Sequence, residues 1–160
     1  MELKVSTPHL NVYGLEIRCD IVKGRGIYAS RPIPSGTLVE ISPVLLFQRD
    51  EYEAHGRHTV LDHYAFIWGD GRMALPLGLG ALFNHSSSPN VTYIKRKEHD
   101  SIEYKTTKDV GPGEELCIFY GHTLWFPDAS RTQTVVQHQS DDWDTADAAT
   151  TWETMAAIDW

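Results

Sequence analysis

A chain of 160 residues, 41% of them apolar and five of them tryptophan, has material for one packed domain and a short appendage. No apolar run nears the roughly 20 residues that cross a membrane, and the N-terminus has neither the basic start nor the apolar core of a secretory signal, so no membrane partner is expected. The net charge of −8 lies unevenly: residues 127–160 hold seven acids and one base, −6, leaving −2 for the rest. A body without a basic excess argues against direct nucleic-acid binding, whereas a basic peptide is compatible with the acidic tail, whose plainest role is solvation.

In chain order, residues 1–13 carry Pro8 and no clear period, and read as an edge strand or arm. Residues 15–21 alternate apolar and polar and predict a strand. Gly24 and Gly26 predict a turn that lets something approach the backbone closely. Arg31-Pro32-Ile33-Pro34-Ser35-Gly36 is a turn, residues 37–43 a strand, and residues 49–55 at most a short polar helix. Tyr64-Ala65-Phe66-Ile67-Trp68 is aromatic and β-branched, hence a strand closed by Gly69-Asp70-Gly71. Residues 77–91 begin apolar and Gly-broken and turn polar at Asn84-His85, which predicts a helical turn running into a tight loop. Residues 91–96 and 101–107 form a hairpin about Lys97-Glu98-His99-Asp100, residues 109–114 a turn, and 115–119 a strand. Residues 129–140 have linker composition. A helix over 146–158 would put Trp152, Met155 and Ala156 on one face, to be covered by this body or by a second subunit in a homodimer. Cys19 and Cys117 fall in strand-like runs and are expected as buried thiols in a reducing compartment. Many short strands without a βαβ repeat make the chain mainly β.

Three stretches stand out: Lys23-Gly24-Arg25-Gly26-Ile27-Tyr28-Ala29, then Asn84-His85-Ser86-Ser87-Ser88-Pro89-Asn90, then Gly113-Glu114-Glu115-Leu116-Cys117-Ile118-Phe119-Tyr120-Gly121. In this order they resemble the glycine, NHS-x-x-PN and GEEL-x-x-x-YG motifs of the SET domain of protein lysine methyltransferases. The resemblance covers residues 15–128, between an arm (1–14) and an acidic tail (129–160). It is strongest to the compact fungal SET-only histone methyltransferases, through Glu40-Ile41-Ser42-Pro43-Val44-Leu45 and Leu124-Trp125-Phe126. It implies a β-clip with a threaded, pseudoknot-like C-terminal segment, and methyl transfer from S-adenosylmethionine to a lysine amine. The substrate it implies is a histone tail, histone three first, in the nucleus; a cytoplasmic non-histone protein, or a catalytically silent binding module, are the rivals.

The resemblance also distributes roles. The backbone of Lys23, Gly24, Arg25 and Gly26 would meet the cofactor's methionine end, Asn84 its amino group, the backbone of His85 the adenine edge, and Trp125 the adenine face; the His85 ring would bond backbone. Tyr120 matches the catalytic tyrosine, and Tyr93, Ile118, Ile41, Ser42, Tyr64 and Phe66 are candidates for the lysine channel. No general base is needed. A lysine ammonium with a pKa of about 10.4 placed about 4 Å from the cofactor's sulfonium is repelled by roughly 4 kcal/mol at an effective dielectric of 20, enough to lower that pKa by up to about 3 units. Two cysteines cannot build the three-Cys zinc cluster that follows many SET domains, so no metal is expected. Two positions depart from the pattern: Ser87 stands where Cys is frequent, and Ile118 where an aromatic residue limits methyl number in many relatives.

Overall fold

The computed structural model describes residues 11–121, and within them the chain forms nine strands, one α-helix and four short 3-10 turns. The strands are β1 (Leu15–Asp20), β2 (Gly24–Ala29), β3 (Leu38–Phe47), β4 (Phe66–Gly69), β5 (Arg72–Pro76), β6 (Asn84–His85), β7 (Val91–Arg96), β8 (Ser101–Thr106) and β9 (Glu115–Ile118); helix α1 is Arg49–Ala54. They make a four-stranded sheet of order β1-β2-β9-β6 and a five-stranded sheet of order β4-β5-β3-β8-β7. None of the described helices is long and apolar enough to cross a membrane. The helix expected over residues 146–158 lies outside the described residues.

Turn chemistry explains the second sheet. Asp70 and Gly71 both take positive φ, 54° and 81°, the conformation that a two-residue hairpin turn demands, and they bring Gly69 opposite Arg72. Asp100, at φ 43°, closes the β7–β8 hairpin after its 3-10 turn. With a side-chain period of two, the registers stack Tyr93, Tyr104 and Glu40 on one face, followed by Lys95, Ile102 and Ser42. The sheet curls on that face until its two edge strands meet: the Phe66 and Tyr93 rings stand edge-on at 5.4 Å, and Lys95 Nζ donates to the Ile67 carbonyl at 2.6 Å. Trp68, Tyr104, Phe83, Ile27, Ile102, Leu116 and Ile118 are fully buried in the common core.

Several sequence expectations hold: the β7–β8 hairpin, the short helix after β3, and a β-rich chain. Others need correction. The glycine motif is part of strand β2, paired with β1 from Gly24 to Ala29, rather than a turn. Asn84 and His85 form a short strand parallel to β9, not a loop. β3 runs past Pro43 to Phe47, because Pro43 sits where pairing with β8 ends at Ser101 and pairing with β5 begins at Val44, a place where a missing N–H costs little. β5 was not anticipated; Arg72-Met73-Ala74-Leu75-Pro76 has no strict alternation and ends in proline. Finally Cys19 is exposed, not buried. β9 pairs with β2 only at Ile27 and Tyr28, so the far half of the β1–β2 hairpin, Cys19 included, runs beyond the strand it rests on; Ile17, opposite Ile27 on the edge strand β1, is 52% exposed as well.

Asn90, closing the second motif, is buried structural glue. Its amide donates to Glu114 Oε1 at 3.0 Å and to the Glu115 carbonyl at 2.8 Å, and its Oδ1 accepts from the Cys117 N–H at 2.8 Å. Asn90→Ala would orphan a buried N–H within β9. We expect a loss of about 2–3 kcal/mol in a urea unfolding experiment, with the midpoint lowered and the slope unchanged.

Candidate active site

The site grows from β6 and β9. Parallel pairing sets Asn84 beside Cys117 and His85 beside Ile118. The chain then turns so that Tyr120 bonds back onto the same segment twice: its N–H donates to His85 Nδ1 at 3.1 Å, and its hydroxyl to the Phe83 carbonyl at 2.7 Å. Because Nδ1 accepts, the buried imidazole is held as a neutral tautomer facing the backbone. Loss of water around the Tyr120 hydroxyl, with Cys117 and Glu115 nearby, pushes its pKa up to about 12. It is therefore a protonated donor at neutral pH, while 40% of the residue remains exposed.

From Tyr120 an aromatic file leads inward. The Phe83 ring stacks on Tyr104 at 4.6 Å, Tyr104 lies 6.4 Å from Tyr93, and Tyr93 meets Phe66. Tyr104 and Phe83 were not singled out in the sequence; the Ile102-Tyr104-Thr106 alternation was the available signal. Tyr104 is fixed by donating to the Gly80 carbonyl at 3.0 Å. Tyr64 is held by Arg25, whose guanidinium donates to its hydroxyl at 3.2 Å and sits 6.0 Å from its ring centre.

The remaining channel candidates separate. Ile41 pairs with Glu103, as does Ile94, on the face opposite Tyr93 and Tyr104, so the register carries it away from the aromatic file. Ser42 is fully buried and ties β3 to the turn at Gly80, donating to Glu40 Oε1 at 3.0 Å and accepting from the Gly80 N–H at 3.1 Å. Ile118 is wholly buried beside His85. Trp125 lies outside the described residues.

The glycine motif meets this centre through a residue that sequence reading passed over, Glu115. One of its carboxylate oxygens accepts from Asn84 Nδ2 at 2.7 Å and the other from Lys23 Nζ at 2.7 Å. That bond is the main reason the Lys23 ammonium holds its proton more firmly than usual. Gly26 lies under the pair, and a Cβ there would come within 2.6 Å of Glu115 Oε1 and 2.7 Å of Asn84 Nδ2. Gly24, at φ +77°, faces open space. Lys23 thus contributes its side chain to the site, where only its backbone was expected. Among the described residues no group of three or more His, Cys, Asp and Glu side chains is placed to hold a metal ion.

These features, three motifs converging where a strand near the end of the described chain slots between earlier ones, are those of the SET fold, and the SET domain family matches residues 24–121. The chain belongs to the SET-domain family, and it is a protein-lysine methyltransferase. Over 114 residues it is 50% identical to the histone-lysine N-methyltransferase, H3 lysine-37 specific, of Schizosaccharomyces pombe (strain 972 / ATCC 24843), spanning 71% of this chain and 78% of that one. A crystal structure of a Plasmodium falciparum protein proposed to be a histone methyltransferase superposes with a TM-score of 0.56 at 25% identity, covering 71% of this chain and 97% of the other.

Burial, with Glu115 close by, pushes the Cys117 thiol up to about 12, whereas Cys19 is exposed. A disulfide-exchange reagent such as Ellman's should therefore consume one thiol rapidly in the native protein. The second should react only after denaturation.

Proposed function

We propose that this chain transfers methyl groups from S-adenosylmethionine to a lysine of a histone tail, histone H3 first, at the site built on Asn84, His85 and Tyr120. The observation that carries this reading is the double hydrogen bonding of Tyr120 onto the Phe83-Asn84-His85 segment. It sets the phenol beside the aromatic file and one strand away from the Glu115–Asn84 pair. SET methyltransferases use S-adenosylmethionine, and the residues present fit it. Asn84 Oδ1 accepts no hydrogen bond from the described residues and suits an ammonium donor, and the open side of Gly24 leaves the β2 backbone approachable. The backbone of Lys23, Gly24, Arg25 and Gly26, with Asn84, His85 and Trp125, would hold the cofactor. Bound there, it supplies an electrophilic methyl group on a cationic sulfonium.

The chain's own residues do the rest. An aromatic passage lined by Tyr93, Phe66 and Tyr64 strips water from an entering lysine and so favours its neutral, nucleophilic form. With its hydrogen committed to Phe83, the Tyr120 oxygen can meet an amine only as an acceptor, which orients the nitrogen lone pair for in-line attack. Histone H3 is placed first because the fission-yeast relative acts there, and a nuclear site follows from that substrate. The acidic tail supports a basic protein partner over nucleic acid, and a homodimer belongs to the same proposal through the helix expected over 146–158. Incubation with labelled cofactor and nucleosomes, followed by mapping of the labelled lysine, tests it; label appearing only on non-histone proteins of a whole-cell extract would reject the histone assignment.

Two variants probe the chemistry. Tyr120→Phe should keep cofactor binding and cut turnover by about a hundredfold or more, while the orphaned Phe83 carbonyl lowers stability by about 1–3 kcal/mol in denaturant titrations. Tyr93→Phe keeps the ring against Phe66 and Tyr104 but removes a hydroxyl able to hold a water in the passage. With Ile at 118, mass spectrometry should show the product shifted toward higher methylation at matched turnover.

A further inference from the structure

We propose that Glu115 is a positioning residue that fixes which end of the Asn84 side chain faces the cofactor, and so makes the site select a ligand bearing an ammonium group. The inference rests on the reading of the site given above. An asparagine amide can be flipped at little steric cost, exchanging a donor for an acceptor. Next to a carboxylate the choice is removed, because an ionised carboxylate only accepts. Glu115 Oε1 takes the Asn84 Nδ2 hydrogen at 2.7 Å, so Oδ1 must point the other way, as an acceptor.

Three further observations agree. Glu115 is itself held: Lys23 Nζ binds its second oxygen at 2.7 Å, and the two side chains keep only 26% and 14% of their surface exposed. The pair is close to neutral as a whole, so an incoming ammonium is recognised by the aimed amide oxygen rather than drawn onto a bare carboxylate. Gly26 leaves the contact room, since any Cβ there would press on both Glu115 Oε1 and Asn84 Nδ2. Residues from all three motifs, Lys23 and Gly26 with Asn84 and Glu115, therefore serve a single purpose, the orientation of one amide.

Glutamine at 115 has nearly the same shape but offers both a donor and an acceptor. Its carbonyl suits Lys23, which turns its NH2 toward Asn84, and Asn84 must then flip and present Nδ2 to the cofactor. The test uses calorimetry on the full chain with two ligands: S-adenosylhomocysteine, and its desamino counterpart with hydrogen in place of the α-amino group. Glu115→Gln should weaken S-adenosylhomocysteine at least tenfold. The desamino ligand should bind wild type and variant equally, which also shows that the variant is folded. Equal binding of S-adenosylhomocysteine by both proteins, or equal losses for both ligands, would overturn the proposal. A wild type that binds neither ligand would overturn the reading of the site itself, and this inference with it. Should the variant fail to fold, the wild type carries the test through the carbon resonance of the Asn84 side-chain carbonyl. It should move on adding S-adenosylhomocysteine and stay in place with the desamino ligand; the same response to both rejects the proposal.

Discussion

Two residues of parallel pairing, Asn84 with Cys117 and His85 with Ile118, hold the centre of this molecule together. Through them β9 lies between β2 and β6, and Glu115, Asn84, His85 and Tyr120 take their places from that insertion. Tyr120 leaves β9 already aimed at the Phe83 carbonyl. Glu115, at the other end of the same strand, reaches both Asn84 and Lys23. Such a short parallel ladder is weak on its own, and what secures it is side-chain bonding around it: Asn90 across β9, and the His85 ring on the Tyr120 backbone.

The second sheet serves a different need. A methyl acceptor must be brought in dry, and in the function proposed above aromatic rings would supply the wall. Curling brings β4 and β7 together without backbone pairing between them, so the seam is closed by Phe66 on Tyr93 and by Lys95 on the Ile67 carbonyl. Taking the Lys95 amine partly out of water, with Lys97 close by, lowers its pKa, the same desolvation that the aromatic passage would apply to a substrate lysine.

Much of this was legible in the sequence where local chemistry decides. The β-branched stretches either side of Lys97-Glu98-His99-Asp100 foretold the β7–β8 hairpin, and three motifs foretold the family. What the sequence concealed depends on partners distant along the chain. Nothing local to Cys19 says that the hairpin outruns the strand beneath it. Ile41 and Ser42 are neighbours in sequence, yet only the register with β8 tells which one shares a face with Tyr104. Glu115 was visible as part of a motif, but its work as a link between Lys23 and Asn84 appears only once 92 residues of separation are closed in space.

That separation has a consequence for how the protein is made. Every strand of the five-stranded sheet is complete by Thr106, and the β1–β2 hairpin can form within the first thirty residues. The edge of β2 that carries Ile27 nevertheless stays unpaired until Leu116 has left the ribosome, and β6 has no strand to lie against before then. Closing so long a loop is slow, and an uncovered strand edge invites pairing with other chains in the meantime. The newborn chain is thus an incomplete sheet waiting for β9, most exposed to misassociation just before the step that assembles the candidate site.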